Sequence, residues 1–213
     1  MLYKLSNPYR TQRNNLIDPT QTCQVTSMIM ALEASGISFE YPKNEQPEDY
    51  LARLLDEPDA WAKLKKEYPA MAGRPPREVH AILSWAINEK LCKRRVTTFT
   101  TKVSVQEILW RIARHKSASV VSGRFTSYGH LITVIGFESK QDRIDELGSP
   151  GLLDLDKVQS VIVDDPWGNS KTGYRDQDGN DVVYSLQEFA HLTRFFDSLD
   201  AKWAHLFSRD GRF

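Results

Sequence analysis

The sequence predicts an α+β fold in which helices precede a sheet. Two observations carry this reading. Between residues 23 and 115 apolar side chains recur mostly at helical spacing, and from residue 118 onward they gather in short runs rich in valine and isoleucine. Helices first and strands after is the element order of an α+β domain.

Residues 1–22 are polar and read as extended, with Pro8 and Pro19 breaking any helix. A mostly apolar helix follows, through Val25, Met28, Met30, Ala31 and Leu32, with Gly36 as its stop and Thr20 or Thr22 to cap its start. Cys23 therefore falls in the first turn of a buried helix. Residues 46–91 read as helical in three segments. One opens at Pro47-Glu48-Asp49, one covers 59–68, and one covers 75–91, where Val79, Ile82, Leu83 and Ala86 share a face. The stretch 69–74 between them is a loop. Residues 95–100 alternate as a strand, and 104–115 form an amphipathic helix through Val105, Ile108, Leu109 and Ile112.

The pattern then turns to β. Residues 118–122 form a short strand. Residues 130–137 are a nearly continuous apolar run, which predicts a strand buried on both faces. A third strand at 160–165 is ended by Pro166 and Gly168, and a fourth lies at 182–184. A helix from 186 to about 195 follows, and a strand at 203–207 closes the sheet.

Lys plus Arg and Asp plus Glu both number 28, so no overall field exists to hold a nucleic-acid backbone. No run of 18 apolar residues is present to span a membrane. Residues 1–13 are polar and lack the apolar stretch of a signal peptide, so synthesis in a cytoplasm without export by the usual signal is expected. There the two cysteines, Cys23 and Cys92, stay reduced. A thiol with distant histidines is a nucleophile candidate.

A thiol attacks only as thiolate, and a helix N-terminus or a nearby imidazolium favours that form. Cys23 starts a helix after a polar loop. The plain alternative is a small apolar residue in a core helix. His130, directly after Gly129 at the first position of a buried strand, keeps its ring free at the sheet edge. His80 and His191 lie within helices, His115 ends one and favours its dipole, and His205 lies mid-strand. Asp165, at the end of a neighbouring strand, can hold the second ring nitrogen of His130, which fixes the tautomer and stabilises the imidazolium. The alternative for Asp165 is an Asp-Pro turn cap. Asp164 points to the opposite face, because strand side chains alternate.

Three stretches, Thr22-Cys23-Gln24-Val25-Thr26-Ser27-Met28, Gly129-His130-Leu131-Ile132-Thr133-Val134-Ile135-Gly136-Phe137 and Val163-Asp164-Asp165-Pro166-Trp167-Gly168, together resemble the C39-like cysteine peptidase family, whose bacterial and phage members are common. The resemblance runs from about residue 11 to 207 and is weakest between 40 and 115. It implies a papain-like fold, with the catalytic cysteine at a helix N-terminus packed on an antiparallel sheet. It is consistent with one domain across residues 1–213 with a helical insertion at about 40–91, and the helical segment from about 46 to 91 is expected to form one wall of the substrate groove. It also implies a glutamine that donates to the oxyanion beside the backbone N–H of the cysteine. Thr11-Gln12-Arg13-Asn14-Asn15 matches the family stretch and makes Gln12 the choice, with Gln21 as the alternative. Gln24 stands where many relatives carry glycine, a departure from the branch that cleaves bacteriocin leaders.

The expected chemistry is hydrolysis of an amide bond through Cys23, His130 and Asp165, with no cofactor and no metal. The partner is a peptide, a protein or the cross-bridge peptide of peptidoglycan; the last suits a phage or bacterial lysin, and a phage-encoded protein of this kind, made in a cytoplasm, can still act on the cell wall. A leader-peptide peptidase, a binding module that kept the fold, and a thiol acyltransferase are the other readings. Asp176-Gln177-Asp178-Gly179-Asn180-Asp181 reads as an Asp-Gly hairpin turn, since its glycine falls too early for a calcium loop. Lys90, Lys93, Arg94 and Arg95 read as a solvated helix end, and Trp85, Trp110 and Trp203 as core or groove residues. Trp167 is expected near Asp165.

Overall fold

A computed structural model describes residues 1–194 and 201–213 of the chain. Its centre is a seven-stranded sheet in which every pairing is antiparallel. The strands are β1 (Leu2–Lys4), β2 (Thr97–Val103), β3 (Ser119–Gly123), β4 (His130–Ser139), β5 (Val158–Asp164), β6 (Val182–Ser185) and β7 (Lys202–Phe207). They lie in the order β2-β7-β3-β4-β5-β6, with β1 paired to β4. The helices are α1 (Cys23–Ala34), α2 (Pro47–Leu55), α3 (Pro58–Glu67), α4 (His80–Ala86), α5 (Val105–His115) and α6 (Leu186–Leu192). The α+β class and the antiparallel sheet expected from the sequence are both present.

The first helix is the hub. Every residue of α1 except Cys23 and Glu33 is buried, so it is covered all round instead of showing one apolar stripe. Its end follows from Gly36, which takes φ +62° and lets Gly36 N–H reach Glu33 O and Ile37 N–H reach Leu32 O. That is the paired C-terminal closure for which glycine is favoured. Its polar residues tie it to the sheet: Ser27 Oγ donates to Leu131 O at 3.0 Å and Thr133 Oγ1 donates to Ser27 O at 2.9 Å. Thr133 pairs with Val120 and Val120 with His205, so Thr133 and His205 share a sheet face. His205 meets Ser84 of α4, which places α1 and α4 on that face.

Several expectations need correction. Residues 1–22 are not extended throughout: β1 is, continuing the edge of β4 beyond the end of β3, but Gln12–Asn14 form a 3-10 turn capped by Thr11. Thr22 takes the N-cap position of α1, as one of the two candidates, but its side chain makes no capping hydrogen bond. Thr20 Oγ1 bonds Asp18, and Thr22 Oγ1 donates to Asp18 O and accepts from Asn15 Nδ2 at 2.9 Å. The last strand does not close the sheet but lies inside it, between β2 and β3. No tight Asp-Gly hairpin joins β5 and β6; residues 165–181 form a long loop, and Gly179 packs on Asp165. The helix expected to reach about Phe195 ends at Leu192, and Phe195 lies outside the described residues. The cap of α6 is a full capping box of Ser185 and Glu188.

Candidate active site

The tie between α1 and β4 dictates where the sulfur goes. Cys23 lies four residues before Ser27, on the same helix face and one turn nearer the N-terminus. Ser27 holds Leu131, the residue after His130. Cys23 and His130 are thereby brought close enough for the sulfur to act on the charge of the ring. Cys23 is partly exposed, and its Sγ also lies 3.5 Å from Gln24 Oε1.

His130 begins β4 and is 5% exposed. Its Nε2 lies 2.7 Å from Asp165 Oδ1. Burial alone pushes its pKa down. The hydrogen bonds to Asp165 and Cys23, with the charges of both, outweigh burial and raise the ring to about 9. These contacts favour the protonated form of the ring.

Asp165 is fully buried. Its Oδ1 also accepts Trp167 N–H at 2.9 Å, and its Oδ2 accepts from Tyr174 Oη at 3.3 Å. Its backbone is held as firmly. Asp165 N–H donates to Gly179 O at 2.9 Å, Tyr9 Oη donates to Asp165 O at 2.9 Å, and Gly179 N–H donates back to Tyr9 Oη at 3.0 Å. Asp164 faces the other way, accepting from Asn7 Nδ2 at 2.9 Å and from Asp181 N–H at 3.0 Å. Burial raises the pKa of Asp164.

Gln12 is buried on a segment that runs beside Asp165. Gln12 N–H and Thr11 Oγ1 both donate to Pro166 O, and Arg13 Nε donates to Trp167 O at 2.8 Å while its guanidinium stacks on the Trp167 ring. The Gln12 side chain points back toward the loop before α1, donating from Nε2 to Pro19 O at 2.8 Å. Its Oε1 has no partner. Gln21, the alternative, is exposed. Asn15 completes the support: it is buried, and its Nδ2 donates to both Thr22 Oγ1 and Thr26 Oγ1. The segment is braced from outside by α2, where Asp49 accepts Leu16 N–H and Ile17 N–H, and Glu48 meets Arg10.

The other histidines stand apart from this cluster. His205 Nε2 lies 2.9 Å from His80 Nδ1, and His205 Nδ1 lies 2.8 Å from Ser84 Oγ. Burial lowers both rings, His80 to about 4. His115 ends α5 as expected, but burial first and then Arg111 and Arg114 lower its pKa, against the favourable dipole. The second cysteine, Cys92, has its thiol pushed up to about 11 by burial. Sequence reasoning missed Tyr174, Tyr9 and Asn15. Each acts from an irregular segment, where no periodicity points to a contact; the one available signal was the run of tyrosine, asparagine and glycine in 169–180 beside a buried aspartate.

Among the described residues no helix is long and apolar enough to cross a membrane. No curated protein and no solved structure matches the chain significantly. One family model does match, the Peptidase_C39 like family, over residues 4–191. That span contains the thiol, the imidazole, the carboxylate and every residue that braces them. The chain therefore belongs to the Peptidase_C39 like family of peptidases.

Proposed function

We propose that this peptidase is of the cysteine type and hydrolyses amide bonds through Cys23, His130 and Asp165. The observation that carries the reading is one imidazole bonded to a buried carboxylate, with a thiol at the start of a helix close enough to raise the pKa of the ring. In this reading Cys23 and His130 share one proton, which lies on the ring when the sulfur attacks. The sulfur attacks the scissile carbonyl, and His130 passes its proton to the departing amine. Water then enters, His130 takes a proton from it, and the hydroxide oxygen displaces the sulfur from the acyl group. Asp165 keeps the ring oriented through both steps.

The developing oxyanion needs donors. The N–H of Cys23 is among the first four of α1, which have no intrahelical acceptor. Gln12 supplies the second donor in this reading, through the amide hydrogen not used by Pro19 O. The substrate is a peptide, within a protein or in the cross-bridge of peptidoglycan. Tyr128, fully exposed two residues before His130, and the exposed Leu16 between Gln12 and Cys23 offer it apolar contacts. The test is release of new amino termini from denatured casein and from purified peptidoglycan by the intact protein and by Cys23→Ala. Cleavage of either substrate that disappears in the variant supports the reading; cleavage that persists in the variant overturns it.

A further inference from the structure

Tyr174 lies in the long loop between β5 and β6, and its backbone takes φ +62°. That left-handed conformation is uncommon for a large side chain and is held where surrounding structure demands it. What it achieves here is contact with the candidate site. The hydroxyl lies 3.3 Å from Asp165 Oδ2 and 3.1 Å from Phe125 O, and the ring meets His130 edge-on, with centroids 6.3 Å apart at 83°.

The hydrogen-bond inventory gives this contact weight. Asp165 Oδ1 takes two donors, His130 and Trp167 N–H. Among the described residues Oδ2 has one side-chain or backbone donor, Tyr174. A phenol has a single proton, and a carboxylate is a stronger acceptor than a neutral carbonyl. With donors on both oxygens the carboxyl plane cannot rotate, and the tyrosine ring stands edge-on to the imidazole it helps to fix. Burial, and then the charge of Asp165, push the phenol pKa up, so it remains a donor over the whole working range.

The geometry points to Tyr174 as a positioning residue that locks the Asp165 carboxylate with Oδ1 toward His130. This inference rests on the proposed roles of Cys23, His130 and Asp165. A donor on Oδ2 draws charge away from Oδ1 and so moderates the hold of Asp165 on the imidazolium. Removing it makes the imidazolium harder to deprotonate.

The test needs no substrate: NMR titration of the His130 Cε1–H, assigned with His130→Ala, in the intact protein, Asp165→Asn and Tyr174→Phe. Tyr174→Phe keeps the ring and removes the proton, and the His130 midpoint is expected to rise by about half a pH unit. Incorporation of 3-fluorotyrosine at position 174 strengthens the donor and is expected to lower the midpoint; it decides the question if Tyr174→Phe fails to fold. A midpoint unmoved by either change, while Asp165→Asn moves it, overturns the role of Tyr174 alone. A midpoint near that of an ordinary histidine in the intact protein, insensitive to Asp165→Asn, overturns the reading on which it rests.

Discussion

The backbone of Gly179 approaches that of Asp165 so closely that a Cβ at position 179 would fall 2.0 Å from the Asp165 carbonyl oxygen. The two are also joined by the hydrogen bond from Asp165 N–H to Gly179 O. Gly179→Ala must therefore push the two segments apart, and with them the carboxylate that meets His130. Overpacking of this kind costs about 1–3 kcal/mol. Thermal unfolding should show that loss, and peptidase turnover of the folded fraction should fall at least about tenfold. Wild-type turnover in a destabilised Gly179→Ala would show that the strap around Asp165 is irrelevant to the site.

His130 gives the protein a pH signature. Its folded pKa of about 9 stands above the ordinary 6.5, so the protonated ring stabilises the fold. That contribution is complete below the ordinary value and is lost as pH rises through about 9. Urea unfolding of the intact protein should therefore weaken across this window, and turnover should fall along the same alkaline limb. In His130→Ala the stability slope over the window should flatten.

Asp165→Asn preserves shape but removes the charge and allows the wrong tautomer of His130. Turnover should fall by up to about 10⁴-fold. Turnover close to that of the intact protein would remove Asp165 from the proposed mechanism.

The two glutamines separate cleanly. Gln12→Ala should lower turnover by about 10²–10³-fold if its amide serves the oxyanion, while Gln21→Ala, at an exposed position, should leave turnover unchanged. Equal effects from both substitutions would argue against either as a specific donor.

Asn15→Ala strips a donor from the buried hydroxyls of Thr22 and Thr26. The expected loss is about 1–3 kcal/mol in chemical denaturation. The variant should also turn over more slowly, because Thr22 immediately precedes Cys23.

What the sequence made legible was whatever periodicity or punctuation marks. The run from Val25 to Leu32 announced a helix with Cys23 at its start, and the apolar run after Gly129 announced a strand with His130 at its head. Alternation along Val161, Val163 and Asp165 put Asp164 and Asp165 on opposite sides, as found. The short β1 was not visible, because three residues with one half-buried side chain carry no pattern. The caps of α1 failed for another reason: Thr22 has the right residue type, but Asp18 and Asn15 engage its hydroxyl. Tyr9 meets Asp165 from 156 residues away, and Tyr174 and Gly179 fold back on it from an irregular loop, so no local rule reports the meeting.

The paired bonds of Ser27 with Leu131 and Thr133 have a consequence for how this protein can change. They pin one helix to one strand at a single sliding position, deep beneath the surface. The spacing between sulfur and ring is thus inherited from a rigid crossing, and exposed positions such as Ser127 and Tyr128 can be changed around it. New preferences for what is cut can be grafted onto the rim while the cutting machinery stays where the interior put it.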